Sequence, residues 1–282
     1  MADKKLLFGP GGVARSARGT RGSDGVQRCV ELGLGCMELE YVYGVRVSEQ
    51  QAAEIRRIAG ENDIKLSAHA PYYINLNSKD PEKKEASIKR IMDSVRMVSA
   101  SGGDRVVFHA AFLTGDPREN VYKEVKKSLM RIKKEMADEN LDHVSLRPEL
   151  TGKESQFGNP DELIRISREV EGVAPCIDLA HYYARYSGLY NSYDDYCRLL
   201  EKIAEGLGEQ GLRDMHIHMS GIEFTDKGEK RHLPALESEF NFREALRALK
   251  SFNVTGRVIS ESPLIEKDAM LFKNSFKRLK VK

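Results

Sequence analysis

Apolar and polar positions along the chain switch repeatedly between two periods. Short apolar runs rich in β-branched residues recur as KLLFG (5–9), CMELEYV (36–42), KLSAHA (65–70), RVVFHAA (105–111), HVSLRPE (143–149), PCIDLAH (175–181), DMHIHMS (214–220) and RVISES (257–262). Between them the apolar residues follow a helical repeat. Ile88, Ile91, Met92, Val95 and Val98 mark one such face, and Val121, Val125, Leu129 and Ile132 mark another, opposed by lysines. Ser48, Asp80-Pro81 and Asn159-Pro160 read as helix entries, and Gly102-Gly103 closes the third helix. The pattern predicts eight strands, each followed by its helix, and therefore parallel pairing. Eight such units in 282 residues fit an α/β fold of the (β/α)8 TIM-barrel kind, which takes about 250. We read residues 1–282 as a single domain without repeats or linkers. The competing fold is an open doubly wound sheet, which carries a glycine-rich phosphate turn after its first strand. GPGG at 9–12 lacks that spacing.

Composition narrows the class only a little. With 40% hydrophobic and 31% charged residues the chain can bury one sizeable core. Lys+Arg 45 against Asp+Glu 43 leaves a net charge of +2, so any affinity for a polyanion must come from a local patch. Cys29, Cys36, Cys176 and Cys197 are scattered without a CxxC pair and read as reduced thiols. The polar start MADKK and the lack of an apolar run near the ~20 residues of a membrane span predict a cytoplasmic protein with no membrane partner. No obligate protein partner is implied.

The chemistry is concentrated at strand ends. A barrel of this kind places its site at the C-terminal ends of the strands. The third strand ends on His69, the fourth on His109 and the fifth on Glu149. The sixth carries Asp178 with His181 just beyond, the seventh His216 and His218, and the eighth Glu261. His232 falls in the loop after the seventh strand, and His143 lies at the opposite end of the barrel. One strand-end histidine is more often a hydrogen-bonded rim residue than a ligand. Four strands delivering histidines to one end, with two glutamates and an aspartate, point instead to a metal centre, because buried carboxylates need a cation. Imidazole with carboxylate favours Zn²⁺, Mn²⁺ or Fe over Ca²⁺ or Mg²⁺. Arg15, Arg18 and Arg21 in the first loop, with Lys153, Arg185, Lys227, Lys230 and Arg231, suit a phosphate-bearing ligand on the same face. Each alone reads as solvated surface.

The ordered motifs HAPYYINL, FHAAF, RPELTGKESQFGN, CIDLAHYYA, MHIH and SESP resemble those of the endonuclease IV family of abasic-site DNA repair nucleases. The resemblance covers nearly the whole chain and implies a trinuclear zinc centre in a (β/α)8 barrel. It places ligands at His69, His109, Glu149, Asp178, His181, His216, His232 and Glu261, and implies that Tyr72 wedges into double-stranded DNA beside an abasic lesion. Arg15, Arg18 and Arg46 are the accompanying DNA-contact candidates. This sequence departs from the family pattern at three places. Lys230 stands where an aspartate two residues before the loop histidine supplies a ninth ligand, with Glu229 one residue earlier. A protonated lysine cannot ligate, so the third metal is expected to be weak or absent unless Glu229 replaces the lost carboxylate. His218-Met219 occupies the place of an Asn-Asp pair. The tryptophan-bearing segment after the second strand reads YVYGVRVSEQ, leaving Tyr43 and Arg46 as substitutes.

Two chemistries follow. In the first, Glu149 bridges two zinc ions and the enzyme hydrolyses the phosphodiester 5′ to an abasic site, with Glu149 and Glu261 as the central carboxylates. In the second, one metal held by Glu149, Asp178, His216 and Glu261 serves a sugar isomerase or epimerase. The extra histidines and the Tyr72-Tyr73 loop favour the first.

Overall fold

The computed structural model describes residues 5–280. Eight parallel strands form the barrel: β1 (Leu6–Pro10), β2 (Cys36–Glu40), β3 (Lys65–His69), β4 (Arg105–Phe108), β5 (Ser145–Pro148), β6 (Cys176–Asp178), β7 (Met215–Met219) and, late in the chain, β10 (Gly256–Ser260). They pair as two four-stranded ladders, β1-β10-β7-β6 and β2-β3-β4-β5. Single parallel bridges, Gly11 to Glu38 and Glu149 to Cys176, join the ladders and close the barrel. The predicted α/β barrel is therefore the fold.

The helices form where the apolar repeat placed them. The chain enters α2 (Glu49–Glu61) through a capping box of Ser48 and Gln51, and α5 (Pro160–Glu169) through one of Asn159 and Glu162. Asp80 caps α3 (Pro81–Ala100), with proline at the first position where no amide hydrogen is missed. α1 (Gly22–Glu31), α4 (Arg118–Asp138), α8 (Phe242–Ser251) and α9 (Glu266–Arg278) complete the outer ring with α7 (Tyr193–Arg213). Ile88, Ile91, Val95 and Val98 of α3, and Val121, Val125, Leu129 and Ile132 of α4, are buried against the strands.

Two features depart from one helix per strand. After β6 a short α6 (Leu179–Arg185) precedes α7, capped by Asp178, whose Oδ1 accepts from the His181 amide at 2.7 Å. After β7 the segment expected as a loop is an antiparallel hairpin, β8 (Gly221–Thr225) and β9 (Gly228–Leu233). Its inner face lies on α6, where Phe224 packs edge-on against Tyr183 with ring centres 5.2 Å apart.

The barrel interior is unusually polar. Inward positions alternate along each strand, and Glu38, Ser67, Arg105, Arg147, Asp178, His216, His218 and Arg257 are all buried. The arginines lie at the N-terminal end of the barrel. Arg105 and Arg147 each reach Asp214 at 2.6 Å, and Arg257 grips Asp104 at 2.7 and 2.8 Å. This network caps one end of the barrel with paired charge, and the histidines and carboxylates gather toward the other.

Candidate metal centre

Glu149 lies just beyond β5 with its side chain fully buried, and histidines converge on both of its oxygens. Oε2 lies 3.2 Å from His69 Nε2 and 3.1 Å from His109 Nε2. Oε1 lies 3.0 Å from His181 Nδ1 and 3.5 Å from His218 Nδ1. Burial opposes a charge here, but the histidines, His109 and His218 foremost, hold the carboxyl well below the usual carboxylate range. His69 answers in kind. Burial disfavours its cation, but the Glu149 hydrogen bond and charge raise its pKa to about 10. Its Nδ1 donates to the Ala70 carbonyl at 2.7 Å, which turns Nε2 toward Glu149.

The loop-side histidines are oriented the same way. His181 Nδ1 lies 3.0 Å from the Leu150 carbonyl and His232 Nδ1 lies 3.2 Å from that of Glu261. With those positions donating, the two Nε2 atoms face one another at 3.3 Å with lone pairs opposed. A proton or a cation has to lie between them. Glu229 Oε2 completes the group, 3.3 Å from His181 Nε2, and its Oε1 is 3.9 Å from His232 Nε2.

The hairpin explains how Glu229 reaches this place. Ile222 pairs with His232, Glu223 with Arg231 and Phe224 with Glu229, so the ladder slips at Lys230 and leaves that residue as the extra one of a β-bulge. The slip restores the alternation that puts Glu229 on the face of His232. Lys230 turns to the opposite face, where it and Arg231 both bind Glu223 at 2.6 Å.

At β7 the structure brings a second histidine, His218, to the carboxylates, while His216 groups with Cys176 and His218. His216 and His218 both face inward, but the ladder pairs Asp178 with His218 and Cys176 with His216. His218 therefore stands at the height of the carboxylates. Its Nδ1 is 3.2 Å from Glu261 Oε2, while its Nε2 is 2.8 Å from Glu38 Oε1. His216 lies one inward position lower, on the other oxygen of Glu38 at 3.0 Å, and burial lowers its pKa to about 3, leaving it neutral. His216 is not brought to Asp178 and Glu261. Sequence reasoning also missed Glu38 and Glu40 on β2, although acidic residues at alternate positions of a strand with buried neighbours were a visible signal.

The donors form overlapping groups whose ligand atoms lie within 4.8 Å of one another: His69, His109 and Glu149; Glu149, Asp178, His218 and Glu261; Asp178, His181 and His232. Glu149 Oε1, Asp178 Oδ2 and His218 Nδ1 are buried without a hydrogen bond. Burial pushes the Asp178 carboxyl up to about 6; it acts on Glu261 as well, but the pair with His218 brings that carboxyl down to about 2. Unsatisfied oxygens and opposed imidazole nitrogens at these spacings fit transition-metal ions.

The residues expected to contact DNA lie around this centre or further off. Tyr72 is 56% exposed and Tyr73 63%, with the Tyr72 ring 6.2 Å from that of His69. Tyr43, on the loop after β2, is also exposed. Arg15, Arg18 and Arg46 are exposed, and Arg18 borders a depression shared with Asp24, Arg28 and Glu31. Arg185 is buried and braces the loop after β5 by donating to the carbonyls of Thr151, Lys153 and Gln156. His143 is exposed and bonds Ser99 at 2.9 Å, apart from the site.

A profile of the xylose isomerase-like TIM barrel family matches residues 26–280. The chain belongs to this family. An uncharacterized protein of Methanocaldococcus jannaschii is 43% identical over 274 residues, covering 97% of this chain and 98% of that one. The probable endonuclease 4 of Mycoplasma pneumoniae is 25% identical over 186 residues, 64% of this chain and 62% of that protein, so the match spans less than two thirds of its length. Among solved structures, endonuclease IV from Thermus thermophilus superposes with a TM-score of 0.73 at 17% identity, covering 96% of this chain and all (100%) of that one. A D-tagatose 3-epimerase-like protein gives 0.72 at 18% identity, covering 96% of each chain. At these identities the two structures show a shared barrel and do not separate a nuclease from an epimerase. No helix among the described residues is long and apolar enough to cross a membrane.

Proposed function

We propose that the protein is a metal-dependent endonuclease that cleaves the phosphodiester 5′ to abasic sites in duplex DNA. The observation that carries this reading is Glu149, whose two oxygens are each approached by two histidines from different strands and loops. A carboxylate so placed is suited to bridging two ions. His69 and His109 would hold the first ion, Asp178, His218 and Glu261 the second, and His181, His232 and Glu229 a third. The donor chemistry favours zinc, with manganese or iron also compatible. When bound, paired ions of this kind supply a water of pKa about 7 and clamp the attacking and leaving oxygens of a phosphodiester.

The chain's own residues supply the rest. Backbone carbonyls of Ala70, Leu150 and Glu261 fix the tautomers of His69, His181 and His232. The exposed Tyr72 ring stands beside His69 to fill the gap left by an unstacked nucleotide. Arg15 and Arg46 are free to meet phosphates on either side.

One observation favours a second reading. Glu149, Asp178, His218 and Glu261 alone make a compact set of two glutamates, an aspartate and a histidine, enough for one metal in a sugar epimerase. That reading leaves His69, His109, His181, His232 and Glu229 without a metal to hold. The two readings separate in one experiment. Protein purified without chelator is assayed for metal content, for nicking of a duplex bearing a stable abasic analogue, and for epimerisation of ketoses. Two or three ions per chain with nicking 5′ to the lesion support the nuclease; about one ion with epimerisation and no nicking overturns it.

A further inference from the structure

Glu229 is placed by the loop after β5 as well as by the bulge. Its amide donates to the Gly152 carbonyl at 3.0 Å, which ties the start of β9 to that loop. The same loop orients His181, whose Nδ1 meets the Leu150 carbonyl at 3.0 Å. The contact at Gly152 has no spare room. A Cβ there would come 2.6 Å from the Glu229 Cβ, 3.1 Å from its Oε2 and 3.1 Å from His181 Cδ2. The Glu229 Cβ is fixed by the backbone of β9 and cannot swing aside as the end of a long side chain would. Gly152 lies outside the left-handed region, so space alone, and not backbone strain, excludes a side chain. Gly228 completes the fit from the hairpin. Its φ of +90° favours glycine, and a Cβ on it would come 2.3 Å from the Gly152 carbonyl oxygen.

Arg185 holds the loop in turn. It follows His181 by about one helical turn on α6, so both side chains project to the same loop. Arg185 is buried and donates to the carbonyls of Thr151 at 3.0 Å, Lys153 at 2.6 Å and Gln156 at 3.3 Å, and to the Thr151 hydroxyl at 3.1 Å. No carboxylate among the described residues pairs with it. The loop oxygens supply the compensation that a buried guanidinium needs. A rigid fork of donors can bind several carbonyls of one loop at once, which a flexible ammonium does less well.

We propose that Gly152 and Arg185 are the positioning residues of the third ion. Gly152 gives Glu229 the room to face His181 and His232, and Arg185 holds Gly152 where that room exists. The proposal rests on the reading of His181, His232 and Glu229 as ligands of one ion. Neither Gly152 nor Arg185 offers that ion a ligand atom. Arg185, whose charge in the sequence suits a phosphate, is spent on the protein's own backbone instead.

The test counts zinc per full-length chain by mass spectrometry and measures its affinity by competition with a chromophoric chelator. Glu229→Gln marks the third ion, because the parent should hold about one more than this variant. Gly152→Ala should lose the same ion and keep the others. Arg185→Gln, which removes the fork and leaves every ligand intact, should hold that ion roughly tenfold to a hundredfold more weakly. Arg185→Gln decides alone if Gly152→Ala does not fold. Gly60→Ala on α2, where a Cβ meets nothing within 4 Å, controls for the substitution itself and should bind zinc like the parent. The inference is overturned if either variant holds the third ion as the parent does. It is equally overturned if the loss spreads over all the ions, because the loop would then only support the barrel. If Glu229→Gln itself holds as much zinc as the parent, the third ion is refuted and this inference falls with it, a result that does not depend on Gly152 or Arg185.

Discussion

Replacing Glu229 by Gln tests whether the bulged hairpin supplies a metal ligand. Glu229 is the carboxylate closest to the facing nitrogens of His181 and His232, 3.3 Å from the first and 3.9 Å from the second. The change keeps the side-chain volume and removes the charge, leaving the two imidazoles with only Asp178, which the second ion also uses, to hold an ion that prefers at least three protein ligands of its own. Zinc content measured by mass spectrometry should fall by about one ion per chain, with the ions at His69–His109 and at Asp178–His218–Glu261 retained. The metal-free protein should weaken too, because Glu229 is the ion partner of a buried His181. Breaking a fully buried pair costs about 3–5 kcal/mol. The Glu229 side chain keeps 20% of its exposure, which argues for a smaller loss of about 1–3 kcal/mol. At roughly 2–4 °C per kcal/mol for a large domain, the chelated variant should melt several degrees lower. Lys230→Ala is the control. Lys230 is paired with Glu223 at the surface, an interaction worth about 0–1 kcal/mol, so both readouts should hardly move. A Glu229→Gln protein with undiminished zinc, or a Lys230→Ala protein that loses it, would show that the bulge does not do what its register implies.

The β7 pair gives a second contrast: His218→Asn should remove an ion, while His216→Asn should keep the metal and cost about 1–3 kcal/mol of stability through the orphaned Glu38; equal metal loss in both would refute the assigned heights. Tyr72→Ala should weaken binding to abasic duplex by about 1–3 kcal/mol in a fluorescence titration and leave zinc unchanged; a joint fall of stability and zinc would make Tyr72 a brace for His69 instead. The pKa of His69, raised to about 10 from 6.5, gives the metal-free protein stability that is complete below pH 6.5 and lost as pH rises to 10. Thermal melts of chelated protein should fall across that window, whereas the metal-loaded protein, whose ligating imidazoles are already neutral there, should not follow. Metal uptake should also release protons, seen in calorimetry as a heat that depends on the buffer's ionisation enthalpy; a buffer-independent heat would count against it.

The barrel was legible because a parallel barrel writes two periods into its sequence, and both were strong here. The height of a residue inside the barrel was not. His216 and His218 have the same parity, and only the pairing of β6 with β7 shows which of them stands level with Asp178. The hairpin was hidden for another reason. Asp226-Lys227-Gly228 was a usable turn signal, but the two short strands it joins hold few apolar residues, so the segment read as a loop. Glu38 and Glu40 went unnoticed because CMELEYV was read for its apolar residues, although its inward positions are Cys36, Glu38 and Glu40. Glu229 was named as a substitute ligand on proximity in the chain alone. Its mechanism, a one-residue slip of the ladder, requires the partner strand to be seen.

That slip bears on how relatives of this protein are compared. In a regular strand, a carboxylate that shares a histidine's face must stand an even number of residues away. With one residue bulged out, a carboxylate three residues away occupies the same point in space. A gain of one hairpin residue can therefore move a ligand to a new column of an alignment while the ion feels no difference. Counting matched columns would score such a chain as having lost its site and would enter a lysine as the replacement. Sequences in this family that lack the expected acid should be sorted by whether a neighbouring acid and a bulge restore the face, before any is set aside as inactive.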